Sequence, residues 1–180
     1  MIRDYFGEVF KSPVNYVITD KNFLKLHRQH HDWTCSVACL RSILKLSMTE
    51  DEFVTQFAMT PGPFYSKDFV HIRQDFKDWQ FRFGCEDSCM TTVDRWLHLL
   101  LLLGEGYSIM IETMYNVGHW LILLGYYPNG EKLSDASILL WDPYLNETRL
   151  KNAEEVISMW LDGECKASGI EKDYIAVKRI

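Results

Sequence analysis

The chain has 180 residues and a mass of 21.2 kDa, with 47% hydrophobic, 24% charged and 14% aromatic residues. These proportions belong to a folded domain and exclude a mainly disordered, collagen-like or coiled-coil chain. Nineteen Lys and Arg against 25 Asp and Glu leave a net charge of −6, which argues against nucleic acid as a partner because neutralising phosphates needs a basic face.

In chain order, Asn15–Thr19 reads as a short strand and Lys21–Asp32 as a loop or a turn of helix. Thr34–Leu46 reads as a helix, with Val37, Leu40, Ile43 and Leu44 on one stripe. Thr49 is the expected N-cap of a second helix, with Glu52 completing a capping box. That helix must end before Pro61-Gly62-Pro63. Phe69, Ile72, Phe76 and Trp79 give Ser66–Trp79 helical spacing, and Gln80–Cys85 is ambiguous, a short strand being one reading. A buried helix is expected over Ser88–Leu103, ended by Gly104 or Gly106. The period then changes. Tyr107–Glu112, His119–Tyr126 and Ala136–Trp141 read as strands, the last two joined through Pro128-Asn129-Gly130. Asn152–Leu161 reads as a helix and Asp173–Lys178 as a final strand. The expectation is one α+β domain over 1–180, a helical half (about 21–104) packed on a C-terminal antiparallel sheet half (about 105–180), with a cleft between them.

The five cysteines are Cys35, Cys39, Cys85, Cys89 and Cys165, an odd number that leaves at least one free thiol. A chain this apolar needs no disulfide framework, so a reduced, cytoplasmic setting is expected. Met1 to Val14 carries Arg3, Asp4, Glu8 and Lys11 and does not read as a signal peptide. The run Trp96–Leu103 is broken by His98 and is too short to span a membrane, so no membrane partner is expected. His31, Cys35 and Cys39 are spaced four and four, as metal ligands on a helix would be. The stretch before Cys35 does not read as helix, and structural zinc sites use paired knuckles, so no metal is expected. Cys85 and Cys89 have no second pair to complete a site.

Cys35 falls where Asp32-Trp33-Thr34 gives way to helix, at the positive end of the helix dipole, which favours a thiolate. Gln29, six residues earlier, carries an amide able to donate to an oxyanion, with the Cys35 N–H as second donor. His119 opens the apolar strand, and Gly118 before it leaves room for close approach. Asp142 ends the next strand and is placed to orient the imidazole. Asn116 is an alternative partner for His119. Trp33, Ser36 and Trp120 are the candidate substrate-binding residues, Trp33 as a wall of a substrate groove and Trp120 also as a shield for the Cys–His pair.

The segments Gln29, Trp33-Thr34-Cys35-Ser36-Val37-Ala38-Cys39-Leu40, Gly118 to Tyr126 and Trp141-Asp142-Pro143 resemble the papain-like cysteine peptidases. Within them the likeness is to the bacteriocin-processing (double-glycine) peptidase branch, and the first segment is also similar to the guanylyl-cyclase-domain family. The resemblance implies a papain-like fold and a Cys-His-Asp triad of Cys35, His119 and Asp142, with Gln29 in the oxyanion hole. It implies hydrolysis of an amide bond in a protein or peptide substrate, by a processing protease or a bacterial effector, without a cofactor. The family usually has Gly after the nucleophile. Ser36 stands there, and its side chain is expected at the approach to the thiol. The rival readings are acyl transfer or deamidation by the same residues, and a papain-like domain used only for binding. Nucleotide chemistry has no phosphate loop to support it. Nothing in these residues specifies an oligomeric state.

Overall fold

The computed structural model describes residues 17–18, 24–87, 92–115, 117–130, 132, 135–161 and 173–180, with the backbone alone at 17–18, 92–94, 115, 117 and 161. Seven strands among them form one antiparallel sheet. They are β1 (Val17–Ile18), β2 (Trp79–Phe83), β3 (Ser108–Tyr115), β4 (Val117–Tyr127), β5 (Ser137–Asp142), β6 (Glu147–Asn152) and β7 (Tyr174–Arg179). Their spatial order is β2-β7-β3-β4-β5-β6, and β1 pairs with β4 through Val17 opposite Tyr126. The helices are α1 (Cys35–Leu44), α2 (Glu50–Gln56), α3 (Ser66–Phe69), α4 (Thr92–Gly104) and α5 (Ala153–Leu161). The class is therefore α+β.

Alternation along the strands builds two cores. Met110, Trp120, Ile122, Trp141, Ile175 and Val177 pack with α1, α2 and α3 on one face. Ile109, Ile111, Leu121, Leu123, Leu140 and Ala176 pack with α4 and α5 on the other. The pairing of β4 with β5 shifts between Leu123 and Gly125, which turns Tyr126 to the α4–α5 face. The layers thus do not follow the chain halves. α4 and β2 both lie within 21–104, yet α4 covers the opposite face from α1, and β2 is an edge of the sheet.

Local signals account for most element ends. Thr49 and Glu52 make the expected capping box. Gly106, at φ +89°, takes the chain from α4 into β3, a backbone conformation that suits glycine. Ser66–Trp79 is not one helix. α3 stops at Phe69, and Val70–Asp75 continues as 3-10 turns, whose three-residue period keeps Phe69 and Ile72 on one inward stripe. Trp79 belongs to β2, opposite Arg179. β6 was not foreseen, and Asn152 ends it while its side chain accepts the Glu154 N–H at the start of α5 (2.8 Å). Of Asn15–Thr19, only Val17 and Ile18 are described; Cys89, Asn116 and Cys165 lie outside the described residues. Among the described residues no helix is long and apolar enough to cross a membrane.

The two-sided core makes a direct prediction for α4. Leu99 is fully buried and Leu101 is 46% exposed. Leu99→Ala should cost about 2–5 kcal/mol and Leu101→Ala less than about 1 kcal/mol, read from urea unfolding midpoints.

Candidate active site

Residues 24–34 reach the start of α1 as an irregular strap, tied down by several of its backbone donors. Lys25 N–H donates to the Ser42 carbonyl (3.1 Å) and His27 N–H to Ser42 Oγ (2.8 Å). Gln29 N–H donates to the Pro143 carbonyl (3.0 Å), which brings the strap to the end of β5. His30 N–H reaches both oxygens of the Glu50 carboxylate (3.2 and 3.0 Å). His31 N–H donates to Thr34 Oγ1 (3.2 Å). The Thr34 hydroxyl proton lies between Glu50 Oε2 and the His31 carbonyl.

Glu50 is 2% exposed and is also paired with buried Arg41 at 3.9 Å. Thr34 is the N-cap residue of α1, but its hydroxyl is engaged in the strap and makes no cap bond. The first-turn N–H groups have no acceptor within the helix. The Ser36 and Val37 N–H groups, which an N-cap side chain would ordinarily take, therefore have no cap from Thr34.

Cys35 is 7% exposed. One turn on, the Cys39 thiol donates to the Trp120 carbonyl (3.5 Å), tying α1 to β4 beside His119. Burial pushes the Cys39 thiol well above its ordinary range, so it stays protonated. β4 and β5 pair as far as Ile122 and Trp141, and His119 and Asp142 lie just beyond that last pair. His119 Nε2 donates to Asp142 Oδ1 (2.9 Å), which leaves Nδ1 for the thiol. The same carboxylate oxygen accepts the N–H groups of Tyr144 (2.9 Å) and Leu145 (3.3 Å), locking it in the turn after β5.

Burial opposes charge on His119. Hydrogen bonds to Asp142 and Cys35, with their charges, outweigh it and raise the His119 pKa to about 9. Burial would also raise Asp142, but the His119 bond and charge and the two turn N–H groups hold it below the ordinary carboxylate range. At neutral pH the pair is imidazolium and carboxylate. A hollow lined by Thr113, His119, Leu121, Asp142, Arg149 and Lys151 lies against the pair.

Gln29 is 7% exposed, and its amide N–H₂ donates one hydrogen to the His31 carbonyl (3.0 Å), leaving a second. The structure thus joins His119 to Asp142 and sets Cys35 close enough to His119 to act on its proton affinity, with the Gln29 backbone on the residue after Asp142. Trp33 is half-buried, stacked on His31 (5.5 Å between centroids) and edge-on to Phe64 (5.7 Å). Two substrate-binding expectations need correction. Ser36 has no exposed surface, and its hydroxyl is buried without a partner, so it offers no surface to a ligand. Trp120 is 2% exposed, with its indole N–H on the Phe64 carbonyl (3.0 Å); it floors the site from within the core and offers no surface to a ligand. His31 precedes the helix and contacts Asp51 (3.1 Å), so it does not align with Cys35 and Cys39. Among the described residues no cluster of His, Cys, Asp and Glu has the makings of a metal site.

Sequence reasoning missed Glu50, which reads only as an acidic first turn of α2, and the Pro143 carbonyl, whose role depends on chain crossing. With the geometry in hand, comparison with known proteins adds no identity: no family model and no curated protein matches this chain.

The buried Glu50 carboxylate should be costly to remove. Glu50→Ala removes the carboxylate that faces the Arg41 guanidinium, the His30 N–H and the Thr34 hydroxyl, and an unfolding free energy lower by about 3–5 kcal/mol is expected. A second prediction concerns pH. The folded-state pKa of His119 lies above the ordinary 6.5, so its contribution to stability is complete below about 6.5 and is lost as pH rises through about 9. The stability gap between wild type and His119→Gln, measured by denaturant unfolding from pH 6 to 10, should narrow over that window.

Proposed function

We propose that this chain is a papain-like cysteine hydrolase that cleaves an amide or peptide bond in a protein or peptide substrate. The observation that carries the reading is His119 held between Cys35 and Asp142 with its pKa raised to about 9. A lone buried histidine has no need of a carboxylate on one nitrogen and a thiol on the other. Nucleophilic catalysis by sulfur needs that pairing.

In the proposed reaction Cys35 Sγ attacks the scissile carbonyl. The oxyanion takes the Cys35 N–H and the second N–H of the Gln29 amide. His119 passes its proton to the leaving amine as the C–N bond breaks, giving a thioester. Water then attacks the thioester, with His119 taking its proton, and Cys35 is released. Asp142 keeps Nε2 protonated and the ring aligned throughout. An amine in place of water makes the same cycle an acyl transfer.

The test is the rate of Cys35 alkylation by iodoacetamide against pH, with modified sites mapped by mass spectrometry. Wild type should label rapidly at pH 6–7, below the ordinary thiol pKa of about 8.5. His119→Ala should label at least about tenfold more slowly there, with Asp142→Asn between the two. Labelling of Cys35 that ignores His119 overturns the proposal.

A further inference from the structure

Cys35 stands at one end of α1, and a cleft of about 340 Å³ lies at the other. Its size is that of a site for a small molecule. Ten residues of helix, about 15 Å, separate the two. The cleft forms where α1 stops at Leu44 and Lys45 takes the left-handed conformation, at φ 57°. One end of β2, β7 and β3 makes the other side, through Trp79, Arg179 and Ser108.

Sheet register assembles that side. Trp79 is opposite Arg179, and Ser108 is opposite Val177. Val177 packs with α1, and alternation along β7 puts Arg179 on the same face. Ile43 and Val177, each 1% exposed, give the cleft an apolar floor. Trp79 is half-buried against the same core and brings a large ring to it. Lys45 and Arg179 line the cleft and are exposed. Lys178 borders it too, with its ammonium over the Tyr107 ring (5.6 Å). Three of the eight described residues that line it are thus basic and none is acidic, in a chain of net charge −6. A helix C-terminus draws cations by itself, which accounts for Lys45. It does not account for Arg179 and Trp79, which come from strands. Nor does it account for the open space: a methyl group placed on Gly106, at the edge of the cleft, would meet no atom within 4 Å.

We propose that this cleft binds a small aromatic acid, its ring on Trp79 over the Ile43–Val177 floor and its carboxylate toward Lys45 and Arg179. Each part of the ligand answers one part of the lining. An indole beside buried aliphatic groups favours a flat apolar ring, and a guanidinium favours a planar carboxylate through paired N–H donors. The site lies apart from Cys35 and stands or falls independently of the hydrolase reading.

The experiment titrates the full chain with 2-naphthoate, with its neutral analogue naphthalene-2-carboxamide and with acetate, by calorimetry and by amide chemical shifts. Naphthoate should saturate, with shifts centred on Gly106, Ser108 and Arg179. The carboxamide, which lacks the charge, and acetate, which lacks the ring, should each bind at least about tenfold more weakly. Arg179→Gln and Trp79→Leu should each weaken naphthoate at least about fivefold, while Arg179→Lys keeps part of the affinity. Arg179 is exposed, so its two variants decide the matter if Trp79→Leu fails to fold. No saturation below about 10 mM, equal binding of the carboxamide, shifts centred elsewhere, or an affinity that survives Arg179→Gln overturns the inference.

Discussion

A single buried carboxylate organises the surroundings of Cys35. Glu50 opens α2, yet its oxygens serve the strap before α1: the His30 N–H, the Thr34 hydroxyl and the Arg41 guanidinium converge on it. An ion removed from water is tolerable only when its remaining lone pairs are satisfied, and here the strap supplies the donors. The arrangement has a local consequence at the helix start. Because Thr34 is drawn toward Glu50 and His31, its side chain does not cap α1.

The sheet does the corresponding work for the imidazole. His119 and Asp142 occupy adjacent strands just past their last mutual pair, where side chains are no longer confined between the layers. Two bonds from α1 and the strap hold the halves of the site in register. Cys39 reaches the carbonyl of Trp120, and Gln29 reaches the carbonyl of Pro143. Each ends on a backbone carbonyl adjacent in sequence to His119 or Asp142, so short-range bonds to the main chain hold α1 and the strap against β4 and β5.

Much of this was legible from residues alone. The helix over Thr34–Leu46, the capping box, the β4–β5 pair and the placing of Cys35, His119 and Asp142 all follow from periodicity and order. What escaped is non-local. Glu50 is sixteen residues from Thr34, and nothing in an acidic first turn says which chain segment it will face. Glu147–Asn152 lacks an apolar stripe because it is an edge strand, with a burial pattern that never reaches the core. The side-chain directions of Ser36 and Trp120 depend on how α1 and β4 meet, which spacing does not encode. The same holds for α4: its apolar run foretells burial but not which face of the sheet it covers.

The placement of β7 bears on how the molecule comes into being. It lies between β2 and β3, yet it follows every other described element in chain order. Its Ile175 and Val177 belong to one core and its Tyr174 and Ala176 to the other. Until β7 arrives, β2 and β3 each present an open edge, and neither core is filled. Such long-range pairing folds slowly and leaves strands exposed in the interim. A ribosome-bound chain therefore carries α1 and its thiol long before the sheet that must hold the imidazole is closed. Maturation of the site is coupled to synthesis of β7, so truncated products should be unable to assemble it.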